Sequence, residues 1–101
     1  MIVYNVTVKV EAAIASQWLA WVTSEQAPLF LSTGCFWKYQ LLHLLELDDA
    51  EGPTYAIQYY AYTFIHYQTF LELHAVALQH KERARWGQRF VSFSTVMEVV
   101  G

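Results

Sequence analysis

The sequence predicts an α+β fold in which two helices cover one face of a four-stranded antiparallel sheet. Three observations predict it. The first ten residues alternate between two sides, as in a half-buried strand. Two longer segments carry apolar residues at helical spacing, and the segments after them are typical of strands. With 101 residues the chain can build one core but not two, so residues 1–101 are expected to form a single domain.

The composition indicates a surface that is partly withdrawn from water. Charged residues make up 15% of the chain, below the roughly 25% usual for soluble domains, and aromatic residues make up 17%. Self-association or a buried ligand would explain so few charges and so many rings on a small domain. The net charge of −3 offers no attraction for nucleic acid, so no nucleic-acid partner is expected.

The sequence also allows a prediction of the cellular compartment. The single cysteine, Cys35, excludes an intrachain disulfide. The N-terminus lacks the basic region, apolar core and small-residue cleavage site of a signal peptide. No apolar run approaches the roughly 18 residues of a membrane span. We therefore expect a soluble cytoplasmic protein with no membrane partner.

The first strand, residues 1–10, has two distinct faces. One is apolar and is expected to lie under the helices: Ile2, Tyr4, Val6, Val8 and Val10. The other is either exposed to water or covered by a partner: Val3, Asn5, Thr7 and Lys9. This second face is where the functional question lies.

The first helix is predicted over residues 13–32, with an apolar stripe that also contains Glu25. The stripe consists of Ile14, Trp18, Trp21, Val22 and Leu29. Because Pro28 fits poorly inside a helix, we expect a break near Gln26 and a short second turn from Pro28. Gly34 is expected to end the helix as a left-handed cap.

The middle of the chain reads as two strands joined by a polar turn. Residues 35–46 are predicted as the second strand, but their leucine doublets leave its faces unassigned. The third strand, residues 54–62, places Tyr55, Ile57 and Tyr59 on one side. The other side carries Ala56, Gln58, Tyr60 and Tyr62.

A second helix is predicted over residues 64–86, and Gly87 is expected to cap it. Its apolar stripe consists of Tyr67, Leu71, His74 and Leu78. The last strand is predicted over residues 90–100.

This order of elements is that of the ferredoxin-like βαββαβ fold. Right-handed crossovers are expected to place the first and third strands in the middle of the sheet and parallel to each other. One sheet face then remains bare, with Asn5, Thr7, Lys9, Gln58 and Tyr60 on it. Two such faces can bury each other, so the low charge content favours a homodimer through Asn5, Thr7, Gln58 and Tyr60.

Five segments of the chain carry a resemblance to a known family. They are MIVYNVTVKV, Trp18-x-x-Trp21 leading to Pro28, Thr33-Gly34-Cys35-Phe36, Gly52-x-Thr54-Tyr55-x-Ile57-Gln58-Tyr59, and the ending FVSFSTVMEV. Together they resemble a family of short bacterial proteins catalogued as a domain of unknown function, similar in fold to the dimeric α/β-barrel superfamily. The resemblance covers nearly the whole chain and implies the same fold.

The resemblance implies no catalytic residues. Members of the wider superfamily include cofactor-free monooxygenases acting on quinol-type aromatics, small isomerases, haem-dependent chlorite-dismutase-like enzymes and regulatory ligand-binding domains. Members of the family often have His or Tyr at the position of Gln26 and Phe at that of Trp86. The resemblance therefore implies no fixed chemical role at either position.

No metal site and no cofactor are expected from the residues. The histidines lack the spacing of metal ligands, and neither Cys35 nor an acid pair completes a set with them. They are His43, His66, His74 and His80.

His74 and Glu25 give the most direct indication of chemistry. Each lies in the apolar stripe of its helix, so both are expected to face the sheet at similar heights, near Tyr59. Two titratable groups beside a tyrosine could act as acid and base. Alternatively, hydroxyl or backbone groups at the edge of the core satisfy both. The aromatic residues expected to contact a ligand are Tyr4, Trp18, Tyr55 and Phe93.

Two functions remain open at this point. The first is a homodimeric, non-catalytic small-molecule-binding or assembly module with a pocket between sheet and helices. The alternative is a cofactor-independent monooxygenase- or isomerase-like enzyme that acts on a small aromatic or acidic substrate through His74. The enzyme requires His74 to face an open cavity, whereas the binding module does not.

Overall fold

The computed structural model describes all 101 residues. They form four strands and four α-helices, which turns and loops connect. The strands are β1 (Ile2–Val10), β2 (Lys38–His43), β3 (Thr54–Ala61) and β4 (Phe90–Glu98). The helices are α1 (Ala15–Trp21), α2 (Ala27–Ser32), α3 (Phe64–Leu73) and α4 (Ala75–Trp86). Each predicted helix is thus built from two pieces, and the predicted βαββαβ order is confirmed.

The sheet has the strand order β2-β3-β1-β4, and all neighbouring strands are antiparallel. This is the ferredoxin-like arrangement, as predicted. The expectation that the first and third strands are parallel is wrong, because β1 and β3 run in opposite directions with Tyr4 opposite Tyr59. Each helical crossover passes over one intervening strand, so the parallel pairs are β1 with β2 and β3 with β4.

The strand register assigns the faces of β2, which the sequence left open. Tyr39 pairs with Tyr59 and Leu41 pairs with Ile57, so these residues lie on the helix-covered face. The strand is shorter than the predicted 35–46, since Leu45 is already 75% exposed. One of the leucine doublets therefore lies beyond the strand rather than within it.

The loop from β2 to β3 packs against the end of β1 at Gly52. The Val10 N–H donates to the Pro53 carbonyl at 3.0 Å, and the Ala12 N–H donates to the Glu51 carbonyl at 3.1 Å. Gly52 has a φ of 146°, and a Cβ on it would overlap the Val10 carbonyl oxygen. Only glycine allows this close approach of two backbones.

A π-helical turn, Val22–Gln26, joins α1 to α2 where the break near Gln26 is expected. The Ala27 N–H donates to the Val22 carbonyl, five residues back, and Pro28 lies in the first turn of α2. Gly34 follows the helix with a φ of 77°, the left-handed geometry expected there. The chain thus continues in one helical direction but gains one residue per turn at this point.

The second predicted helix is interrupted at His74, where φ is −129° and the helical geometry is lost. The His74 N–H still donates to the Phe70 carbonyl at 2.9 Å, so α3 and α4 follow closely on each other. Gly87 ends α4 with a φ of 62°. No helix of the structure has the length and apolar character that a membrane crossing requires.

The core lies between the helices and one face of β1 and β3. Its fully buried side chains include Val8, Trp18, Ile57, Tyr59 and Phe70. On β4, only Phe90 is buried, and the rest of that edge strand is exposed. An open sheet face and an uncovered edge strand therefore remain on the monomer.

Candidate ligand-binding cavity

A cavity of about 190 Å³ lies between the sheet and the helices, next to the uncovered strand β4. Tyr4 and Tyr59 line it from the sheet. Gln26 lines it from the π-helical turn, and Glu82 lines it from α4. Four separate segments thus bring polar groups to one enclosed space.

The π-helical turn directs Gln26, rather than Glu25, toward the interior. One extra residue in the turn rotates the chain that follows by about 100°. As a result, Gln26 is 6% exposed and lies on the same side as the buried Trp21, while Glu25 is exposed. The predicted position of Glu25 on the buried stripe is therefore wrong, because it assumes uninterrupted α-helical spacing.

Glu82 is the buried acid of this site. It shares the inner face of α4 with Ala75 and Trp86, and it is 9% exposed. The Gln26 side-chain Nε2 donates a hydrogen bond to Glu82 Oε2 at 3.1 Å. Burial raises the pKa of the Glu82 carboxyl, while the Gln26 hydrogen bond and the charge of Arg83 oppose that rise.

Tyr59 contributes a buried hydroxyl without a hydrogen-bond partner. Its side chain is 0% exposed, and its ring stacks on Phe30 with the centroids 4.2 Å apart. Burial raises the pKa of Tyr59 well above 10.0, and the nearby charge of Glu82 raises it further. Leaving such a donor unpaired costs about 1–3 kcal/mol, so the site has an unused hydrogen-bonding group beside an acid.

Tyr4 completes the sheet side of the cavity. Burial raises the pKa of Tyr4 above its usual 10.0, while the side chain of Ser94 opposes the shift. Ser92 and Ser94 line the cavity from β4 and are exposed, so the cavity opens to solvent along that edge.

Among the three residues predicted as acid–base partners, only Tyr59 lines this cavity. His74 sits half-buried at the junction of α3 and α4, near Phe70, and lines none of the five cavities of the structure. Glu25 is exposed beside the buried Gln26 and lines a separate surface groove with Trp21 and Leu29. An acid–base role for His74 and Glu25 therefore stays a prediction without a shared cavity.

Among the predicted ligand contacts, Tyr4 and Phe93 line the cavity. Phe93 lies at its rim and is 66% exposed, and its pairing with Thr7 places it on the open face of the sheet. Trp18 and Tyr55 stack on each other elsewhere in the core, with ring centroids 5.4 Å apart. Two of the four predicted ligand contacts thus line the cavity, and the other two lie away from it.

The sequence reasoning did not identify Glu82 or Gln26. Leu78, Glu82 and Trp86 are spaced by four residues, which is a helical stripe with an acid at its centre. That spacing could have found Glu82. Pro28 predicts a break near Gln26, but the sequence does not predict that the break is a π-helical turn that directs Gln26 inward.

The comparisons with known proteins place the whole chain in one family. The model of a family described as a domain of unknown function, DUF4286, matches residues 1–100. No curated protein matches the chain.

Several solved structures share the fold at low sequence identity. A dimeric ferredoxin-like protein from an uncultured marine organism superposes with a TM-score of 0.74 at 8% identity, over 99% of this chain and 95% of the other. A candidate antibiotic biosynthesis monooxygenase from Deinococcus radiodurans gives 0.71 at 15% identity, over 100% and 94%. An MhuD mutant with two manganese protoporphyrin IX molecules bound per active site gives 0.55 at 17% identity, over 100% of both chains. At these identities the likeness shows the fold alone.

The residues of the cavity do not fit a haem or a metal ion. Haem iron is held by His, Cys, Met or Tyr side chains, and no His, Cys or Met lines the cavity. Burial raises the pKa of Tyr4 and of Tyr59, which disfavours the phenolate form that binds iron. No three His, Cys, Asp or Glu side chains come together anywhere in the structure.

Proposed function

We propose that this chain, which belongs to the DUF4286 family, is a homodimeric domain that binds a small organic molecule in the cavity between its sheet and helices. The observation that carries the proposal is the convergence of the buried, hydrogen-bonded pair Glu82 and Gln26 on one cavity that Tyr4 and Tyr59 also line. Buried polar groups are costly unless they are paired or used. A ligand that pairs with them explains why they are retained.

The size of the cavity limits the ligand. An apolar cavity of about 150 Å³ holds one benzene molecule. The cavity here measures about 190 Å³ and opens along β4, so it suits a molecule built on a single ring or a short chain.

The open sheet face supports the homodimer. It carries the predicted interface residues Asn5, Thr7, Gln58 and Tyr60, which lie on one surface by their pairing. The same surface has exposed apolar side chains on β4: Val91, Phe93 and Met97. Two of these faces packed together would withdraw that apolar surface from water, in keeping with the 15% charge content. The proposal includes a cytoplasmic location in a bacterial cell.

The test is a ligand screen with a blocked cavity. A library of small ring compounds is screened against the protein by ligand-observed NMR, and hits are repeated on Val6→Phe. Val6 lines the cavity, so the added ring should occupy the ligand's space. The matched control is Val76→Phe, which makes the same change on the exposed surface of α4. The proposal predicts hits that bind the wild type and the control but not Val6→Phe. Hits that bind all three proteins equally, or no hits, would overturn it.

A second candidate function is cofactor-independent proton transfer, with Glu82 in the place first given to His74. A carboxyl with a raised pKa that lines a cavity beside a phenol is suited to act as a general base. The test is incorporation of deuterium from D₂O into C–H positions of the screening hits. Exchange that requires Glu82, and is lost in Glu82→Gln, supports catalysis. Absence of exchange with every hit leaves binding as the function.

A further inference from the structure

We infer that the cavity takes an organic cation, an amine whose body is no larger than one ring, with its ammonium group on Glu82. This inference rests on the proposed function and names the chemical class of the ligand. It follows from the charge of Glu82, from the partners of the nearby arginines and from the aromatic walls of the cavity.

Glu82 is the one charged side chain among the residues that line the cavity. No Lys, Arg or His lines it, so the carboxylate has no protein cation opposite it. Its hydrogen-bond partner is the neutral amide of Gln26, at 3.1 Å. The two tyrosines that face it from the sheet, Tyr4 and Tyr59, carry no positive charge at any pH. A buried carboxylate in such surroundings is complemented by a cation from outside.

The nearest protein cation on α4 is engaged elsewhere. Arg83 Nη1 donates to the Gly87 carbonyl at 2.6 Å, and its guanidinium lies 4.4 Å from the centre of the Phe90 ring. Arg85 lies over the ring of Trp86, at 4.2 Å. Both arginines thus have partners at the C-terminal end of the helix, where cations are favoured. Neither arginine lines the cavity, so the charge of Arg83, which lowers the pKa of Glu82, acts on it from outside.

The remaining walls fit an ammonium group. Tyr4, Phe30 and Tyr59 bring three aromatic rings to the cavity, and aromatic rings attract cations through their faces. An anionic ligand would be repelled by the negative charge of Glu82, and a neutral ligand would leave that charge uncompensated. A cation is the class that uses all of these groups.

The experiment compares benzylamine, benzyl alcohol and benzoate, which share one ring and differ in charge. Affinities are measured by calorimetry on wild-type protein, Glu82→Gln and the matched control Glu25→Gln. Glu25 is exposed, so its variant makes the same charge change outside the cavity. We expect benzylamine to bind the wild type and Glu25→Gln alike and to bind Glu82→Gln at least tenfold more weakly. The affinity for benzylamine should also fall as the pH is lowered and Glu82 is protonated, a readout that needs no variant.

The outcomes separate this inference from the proposed function. Equal affinity for the amine and the alcohol overturns the inference, and so does benzylamine binding that survives Glu82→Gln. Failure of benzylamine to bind at all overturns it too. If screening hits then still require an open cavity at Val6, the proposed function stands with a different ligand class.

Discussion

The Gln26 side chain donates a hydrogen bond to Glu82 across 56 residues of sequence, and the bond is buried between the π-helical turn and α4. It joins the two helical layers over the sheet at the cavity. Gln26 faces inward because of the extra residue in the turn, and Glu82 lies on the buried face of α4 together with Ala75 and Trp86. A local irregularity of the first helical segment and a regular face of α4 thus create the site.

The first prediction concerns Glu82→Gln and stability. Burial raises the folded-state pKa of Glu82 above the usual 4.5, so the folded protein binds a proton more tightly than the unfolded chain. The free energy of unfolding therefore falls as the pH rises through the folded-state pKa. Glu82→Gln removes this loss and keeps an acceptor for Gln26, so it should be more stable than wild type at pH 8. The difference should shrink toward pH 4.5, as followed by urea unfolding. A difference that is constant across this range would contradict the buried state of Glu82.

The second prediction concerns Tyr59→Phe. The hydroxyl is buried without a partner, so its removal should raise the free energy of unfolding by about 1 kcal/mol. Tyr62→Phe is the control, because Tyr62 is 63% exposed and should tolerate the change without effect. Thermal and urea unfolding measure the stability of both variants. A loss of stability in Tyr59→Phe would mean that the hydroxyl already has a partner in the unliganded protein.

The third prediction concerns Gly52→Ala. The new Cβ would overlap the Val10 carbonyl oxygen, and φ at this position is 146°. We expect a loss of at least about 2 kcal/mol, since both the backbone strain and the clash must be relieved. Gly34→Ala is the comparison, because its φ is 77° but its Cβ would meet no atom within 4 Å. It should cost only about 1 kcal/mol. Equal costs in urea unfolding would show that the loop does not pack against β1.

The fourth prediction concerns association. Asn5 lies on the sheet face away from the helices, where it is 9% exposed and its Nδ2 donates to Thr7 Oγ1 at 3.1 Å. Asn5→Arg would place an unpaired charge in the proposed interface, so it should shift the protein from dimer to monomer. Gln68→Arg makes the same change on exposed α3 and should leave the dimer intact. Sedimentation equilibrium over a wide concentration range measures both masses. Equal dimerisation of the two variants would place the interface elsewhere.

The fold was largely predictable from the sequence, whereas the site was not. The alternation of the first strand and the tryptophans of the first helical stripe report burial directly, and these features indicate the βαββαβ order. The leucines of the predicted stripes do not, since Leu29 is 37% and Leu71 is 41% exposed. Gly34 and Gly87 correctly predicted the helix ends, because glycine readily takes the positive φ that both adopt. Pro28 marked the break of the first helix. Each of these signals is local in the chain.

The site depends on helix phase, which local spacing does not determine. Projecting an ideal α-helix through residues 13–32 places Glu25 inward, and projecting one through residues 64–86 places His74 inward. The π-helical turn changes the phase of the first helix, so Gln26 takes the inward position expected for Glu25, and the break at His74 leaves that residue half-buried at the junction of α3 and α4. Tyr4 and Tyr59 were correctly placed toward the helices, because strand alternation is not interrupted. Errors thus occurred where the helices depart from regular geometry.

The most direct measurement is a ¹H–¹⁵N correlation spectrum of the protein titrated with its best screening hit. The side-chain amides of Gln26 and Asn5 both give signals, one from the cavity and one from the open sheet face. Binding in the cavity predicts that the Gln26 side-chain signals move with saturation while those of Asn5 stay in place. Movement of the Asn5 signals with no change at Gln26 would contradict the cavity as the ligand site.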